Sequence, residues 1–188
     1  NYSFNIEKNT VFYGSNSGRY GIYLYESENG KIANNMIQLG YNSSSYCVYM
    51  YYSDYCDFYY NTFKLTSSSS SGSVFYMRDS YYINSKNNIF YNSGSGYAYY
   101  LYNYYSSFFT SSDNNCFYTN GSYPVYTSSN QTFSQWQSYW DSNSIECDPV
   151  FEHDSIFLSR QYLIDGAGIP IAGVSDDYNG NLRPTTNP

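Results

Sequence analysis

The feature that most constrains this chain is a repeat. Asparagines followed two residues later by an apolar residue recur as NTV at Asn9, NMI at Asn35, NTF at Asn61, NIF at Asn88 and NCF at Asn115, at intervals of 26, 26, 27 and 27 residues. A second apolar column, Ile6, Ile32, Phe58, Ile83 and Phe109, keeps step at 26, 26, 25 and 26. A third, Leu24, Met50, Met77, Leu101 and Val125, follows at 26, 27, 24 and 24. Self-similarity at this period marks a chain that stacks one supersecondary unit on the next. Within each repeat, apolar residues alternate with period two, as in Ile22-Tyr23-Leu24-Tyr25 and Ile37-Gln38-Leu39, which is strand periodicity.

Three short strands per repeat, separated by turns, predict an all-β right-handed parallel β-helix: a three-sheet solenoid of about five coils over residues 1–128, closed by an irregular cap over 129–188 in the same domain. Strands of successive coils then lie about 4.8 Å apart, with like residues above like. Asn9, Asn35, Asn61, Asn88 and Asn115 are expected to form a structural ladder, because Asn tolerates a left-handed corner and its amide can bond from coil to coil. Val11, Ile37, Phe63, Phe90 and Phe117 form one expected core stack, and Ile22, Val48, Phe75 and Tyr99 another.

Composition narrows the function classes. Only 12% of the 188 residues are charged, but 23% are aromatic, enough buried area to exclude a disordered polar tract. A net charge of −7 with eight scattered Lys and Arg leaves no basic stripe, so neither nucleic acid nor an anionic membrane surface is an expected partner. No apolar run reaches the length of a membrane span. Cys47, Cys56, Cys116 and Cys147 lack metal-ligand spacing. A Cys116–Cys147 disulfide, joining repeats to tail, stands beside the alternative of free buried thiols. Motifs for N-glycosylation at Asn1, Asn42, Asn120 and Asn130 are no more frequent than this Asn- and Ser-rich composition produces by chance.

The phrases GIYLYES at Gly21 to Ser27 and KIANNMI at Lys31 to Ile37 resemble the right-handed parallel β-helix repeat of pectate-lyase-like proteins. The resemblance covers roughly residues 5 to 128 and places GIxL in the first sheet and I-x-N-N across the asparagine turn between the second and third. It implies fold more than function, since this scaffold carries lyases, hydrolases, adhesins and passive structural proteins. SIECDPVF at Ser144 to Phe151, YLIDGAG at Tyr162 to Gly168 and DDYNGNLRP at Asp176 to Pro184 resemble the C-terminal closure of secreted bacterial β-helix proteins, segments that cover the terminal coil.

In the tail, Phe133, Trp136 and Trp140 have helical spacing, and Thr132 with Gln135 fits a capping box. Asp177 and Asn179 have the oxygen-rich look of a calcium loop without the distal Glu of an EF-hand, and a turn salt-bridged to Arg183 is the preferred reading. No other cofactor is expected. Ile6 falls in the second-sheet column, so the sequence begins in mid-coil, with either preceding protein or a neighbouring subunit expected on that end. His153, the single histidine, reads as a surface or capping residue rather than part of a triad.

On the coil, Tyr23, Tyr49, Tyr76 and Tyr100 point outward as one column, and Tyr25, Tyr51, Arg78 and Tyr102 as another. These columns are expected to form a flat platform for a polysaccharide or a protein partner, or simply to pair across strands. Glu26, Arg78 and Asp79 are the catalytic candidates on that face, with Asp54 and Asp57 at the next turn. The sequence therefore predicts an extracellular or cell-surface module, bacterial in character and non-catalytic. Its expected role is structural or adhesive, binding glycans or neighbouring subunits and assembling end to end as an oligomer or filament. A polysaccharide lyase or glycoside hydrolase of the same fold is the alternative.

Overall fold

The structure is a computed structural model that describes residues 3–14, 19–40, 44–67, 69–153, 156–186 and 188, with the side chains of His153 and Ile156 also left out. Expectations at Asn1, Asn42 and the His153 side chain therefore lie outside the described residues. The chain is a parallel β-solenoid of about five turns with about 26-residue spacing. Its first sheet stacks Tyr20–Tyr25, Tyr46–Tyr51, Ser73–Arg78, Tyr97–Tyr102 and Val125–Tyr126, with Asn130–Gln131 antiparallel at its end. The second stacks Phe4–Glu7, Gly30–Ala33, Asp57–Tyr59, Ile83–Lys86 and Phe109–Asp113. The third stacks Thr10–Tyr13, Met36–Leu39, Thr62–Leu65, Ile89–Asn92, Cys116–Thr119 and Ile145–Glu146.

Register follows the repeat. In the third sheet Val11, Ile37, Phe63, Phe90 and Phe117 lie in line, and in the first Ile22, Val48, Phe75 and Tyr99 do the same. Core rings of the first and third sheets meet edge to face: Phe90 lies 4.7 Å from Tyr99 and 6.0 Å from Phe75. Such pairs add to the burial of each ring by about 0.5–1.5 kcal/mol.

Two columns depart from the expected register. Ser85, not Ile83, stands beside Phe58; Ile83 keeps its expected place beside Phe109, and the second sheet slips by one residue after it, where Asn84 pairs with Ser111. The exchange leaves room for the phenol of Tyr99, whose oxygen lies 2.6 Å from the Ser85 hydroxyl and satisfies both groups in the core. Val125 pairs with Tyr99 rather than continuing the Leu24 column, since the preceding turn is shorter than in earlier coils.

The asparagine ladder is continuous. Asn9, Asn35, Asn61 and Asn88 each donate both backbone N–H and side-chain Nδ2 to Oδ1 of the Asn one coil on, at 2.9–3.1 Å. The same Nδ2 atoms of Asn35, Asn61, Asn88 and Asn115 also donate back to a carbonyl of the preceding coil. All ladder amides thus point the same way, and the last needs an acceptor beyond the repeat. Asp141 supplies it: Asn115 Nδ2 donates to Asp141 Oδ1 at 2.8 Å, while Asn115 N donates to Ser144 Oγ. A shorter serine ladder runs at the opposite corner, where Ser27 N donates to Ser53 Oγ and Ser53 N to Ser80 Oγ.

The last coil is closed by a one-turn helix, Phe133–Gln137, whose Phe133 and Trp136 are buried against the core. Thr132 Oγ1 accepts from Gln135 N and Gln135 Oε1 accepts from Thr132 N, the expected capping box. Thr132→Ala should lower the urea midpoint by the equivalent of about 1 kcal/mol.

Of the three tail segments, the first covers the terminal coil as expected, with Ile145 and Glu146 paired to Cys116 and Phe117, whereas the later ones do not. They run back along the asparagine corner as a strap, tied by the residues that precede the ladder. Asn114 Nδ2 donates to Ala167 O, Asn87 Nδ2 to Ile169 O and Asn34 Nδ2 to Asp176 O, and Lys8 pairs with Asp176 at 2.6 Å on the first coil. Those three asparagines have φ of 55–59°, so the left-handed corner turns the first Asn of each N-N pair toward the strap and the second into the ladder.

Candidate functional site: the tyrosine face

The outward positions of the first sheet place Tyr23, Tyr49, Tyr76, Tyr100 and Tyr126 in one line. Their ring centroids are 5.3, 4.6, 5.4 and 4.5 Å apart, with interplanar angles of 5–15°. This is stacking, ring face on ring face: of the two expected arrangements it is the cross-strand pairing and not the flat platform. Parallel in-register strands set like residues about 4.8 Å apart, close to the stacking distance of two rings, so each face is covered by the next ring. What remains toward solvent is a row of ring edges and hydroxyls. Burial pushes the Tyr49, Tyr76 and Tyr100 phenols up from their ordinary value, which favours their neutral form.

Tyr20, Tyr46 and Tyr97 flank the row edge-on. Tyr46 lies 5.3 Å from Tyr49 and 5.2 Å from Tyr76 at 66–70°, and Tyr97 lies 5.5 Å from Tyr100. On the other side run Tyr25, Tyr51, Arg78 and Tyr102 in register. The Arg78 guanidinium carbon sits 4.9 Å from the Tyr51 ring and 4.8 Å from that of Tyr102, replacing a phenol in the column by a cation between two rings.

The catalytic candidates are tied into this frame. Arg78 Nε donates to Asp79 Oδ2 at 3.2 Å. Glu26 and Asp79 occupy the same left-handed corner position, with φ of 49° and 47°, but on coils two steps apart, which the strand repeat makes about 9.6 Å. Glu26 instead serves Tyr25, whose phenol its carboxylate holds above the usual range by hydrogen bonding. Asp54 accepts from Tyr81 N at 2.7 Å and Asp57 from Asn84 Nδ2 at 2.7 Å.

The other candidates lie elsewhere. Asp177 accepts from Asn181 N and Nδ2, which lower its carboxyl from the ordinary value, in a turn where Gly180 takes φ of 85°. Arg183 does not bridge to Asp177. Its guanidinium stacks 3.8 Å over the Tyr60 ring and donates to Asp176 O and Asn34 Oδ1. Among the described residues no group of three or more His, Cys, Asp and Glu is placed to hold a metal ion. Cys116 and Cys147 are adjacent thiols with Sγ atoms 3.6 Å apart, and their shared proton raises Cys116 and lowers Cys147. Burial pushes the Cys56 thiol up to about 11.

A cavity of about 620 Å³ lies between the strap and the third sheet, where Met36, Ile89, Cys116 and Ile145 form an apolar wall. Its charged groups, Arg183 and Asp177, already have the partners named above.

Two tyrosine arrangements, one on the face and one at a corner beside it, were missed from the sequence. Tyr126 extends the ladder 26 residues after Tyr100, a signal hidden by assigning Val125 to the wrong column. Tyr55 and Tyr82 stack at the first corner with φ of 54° and 61°, a conformation that does not follow from side-chain type.

Fold and face together define a parallel β-solenoid carrying an aromatic ladder. No protein-family model, no curated protein sequence and no solved structure matches the chain.

Proposed function

We propose that the chain is a non-catalytic module of the pectate-lyase-like β-helix class, with a structural or adhesive role outside the cell. Its tyrosine face holds a glycan laid along the solenoid axis. The observation that carries this reading is the five-tyrosine ladder, whose 4.5–5.4 Å steps present one phenol per coil. A row of hydroxyls at a regular step suits a ligand that is itself a regular chain of hydroxyl groups, which an extended polysaccharide is. Because the ring faces are used by one another, affinity would come from hydroxyls and ring edges. Each net hydrogen bond contributes about 0.5–1.5 kcal/mol, so binding grows with the number of coils engaged. Stacking fixes the phenols in advance, which keeps the ordering cost low. Arg78, bonded to Asp79 and held between two rings, fits a binding role better than a proton-transfer role.

Affinity electrophoresis through gels containing individual neutral and acidic polysaccharides tests the reading. The double variant Tyr49→Phe with Tyr76→Phe keeps the stack and removes two hydroxyls. We expect the wild-type chain to be retarded by at least one polysaccharide and the variant several-fold less. Equal retardation of the two proteins, or none by any polysaccharide, would overturn it.

A further inference from the structure

The corner between the first and second sheets carries a pair of tyrosines that the glycan reading does not use. Tyr55 and Tyr82 sit on adjacent coils, with ring centroids 4.9 Å apart and planes within 13° of parallel. They are 53% and 44% exposed, so a diffusing oxidant reaches both. Each stands at a left-handed corner, φ of 54° and 61°, projecting from the turn rather than from a strand. Ladder rings such as Tyr49 and Tyr76 stack as closely but are hemmed in edge-on by Tyr46. Beside the corner pair the described residues place a looser ring contact, Tyr81, 6.5 Å from Tyr82 and tilted by 54°. The most exposed tyrosines, Tyr139 at 75% and Tyr162 at 79%, have no aromatic ring against them among the described residues.

We propose that Tyr55 and Tyr82 are an oxidative coupling site, joined as dityrosine by a one-electron oxidant of the haem-peroxidase class acting with hydrogen peroxide. Each phenol loses one hydrogen atom from its O–H, and the two electrons and two protons reduce the peroxide to two waters. The two tyrosyl radicals join through a carbon–carbon bond between the ring carbons ortho to oxygen. The proton on each of those carbons then moves to its oxygen, restoring two phenols, for a net loss of two hydrogens. Exposure at the corner lets the rings swing from the stacked arrangement into the biaryl one. The product staples the second coil to the third across 27 residues. In a solenoid each coil is held only by its neighbours, so a covalent rung-to-rung link constrains the unfolded chain and slows separation of the coils.

The test is treatment of the dilute protein with a haem peroxidase and peroxide, followed by isolation of the monomer, its mass, its dityrosine fluorescence and peptide mapping. The expected product is a monomer lighter by two hydrogens, with one cross-linked peptide joining Tyr55 to Tyr82 and unfolding at higher urea than the untreated chain. Monomer fluorescence should fall several-fold in Tyr55→Phe and in Tyr82→Phe, substitutions that keep the stacked ring, and persist in Tyr139→Phe. Undiminished fluorescence in the two corner variants, a link mapped to another pair, or dityrosine confined to dimers would each overturn the proposal.

Discussion

Asn61→Ala should destabilise the chain by about 3 kcal/mol, with the loss read as a lower urea midpoint at unchanged slope. The loss comes from the partners that truncation strands. Asn61 Oδ1 accepts from both Asn35 N and Asn35 Nδ2, and its own Nδ2 donates to Ile32 O and to Asn88 Oδ1. Truncation leaves Asn35 N and Ile32 O without these partners in a site where Asn61 is 1% exposed. Each buried group left unsatisfied costs about 1–3 kcal/mol. The ladder also predicts a gradient. Asn9 is exposed and accepts from no earlier coil of the described chain, so Asn9→Ala should cost under about 1 kcal/mol by the same measurement. Equal losses at the two positions would mean that the asparagines act as individual turn residues and not as a connected ladder.

The parts of the fold that were legible in the sequence are those that repeat. In a parallel in-register stack, one residue's environment is nearly that of its equivalent a coil away, so Phe63, Phe90 and Phe117 announce one another. The same holds for Tyr23, Tyr49, Tyr76 and Tyr100. What the period does not encode is how a ring is turned about its bonds. The outward column was readable, but the period left a flat platform and a cross-strand stack equally open, and it carries no sign of rings such as Tyr46 that lie edge-on against the stack. Register slips were hidden too, because Ile83 and Ser85 both alternate correctly and only the Tyr99 phenol decides between them. The strap was least legible. Its anchors are backbone carbonyls of Ala167, Ile169 and Asp176, which carry no side-chain signature.

The sharpest case is the ladder's end, and it carries the largest expected effect: Asp141→Ala should cost about 4 kcal/mol or more. Asp141 is 26 residues after Asn115, the asparagine interval, yet no apolar residue follows it at the ladder spacing, and the strand register sets Ser144 rather than Asp141 beside Asn115. Its buried carboxylate accepts from Asn115 Nδ2, Ser144 Oγ, Ser112 Oγ and the indole N–H of Trp136, all at 2.6–2.8 Å. Burial pushes its carboxyl up from the usual range while these four donors act the other way. A ladder of aligned amides delivers donors to this end, so the last acceptor is best a group with no hydrogen of its own, which a carboxylate provides and an amide does not. Removing it strands four donors at once and detaches Trp136, which closes the core, at about 1 kcal/mol or more each. Asp141→Asn separates the two roles. Its Oδ1 can still receive Asn115, but its amide nitrogen would face the Trp136 N–H, a donor against a donor. The expected loss is therefore intermediate, about 2 kcal/mol, with the tryptophan fluorescence of the native state altered because the indole loses its partner. An Asp141→Ala variant as stable as wild type in urea would show that the cap is held by Phe133 and Trp136 packing alone.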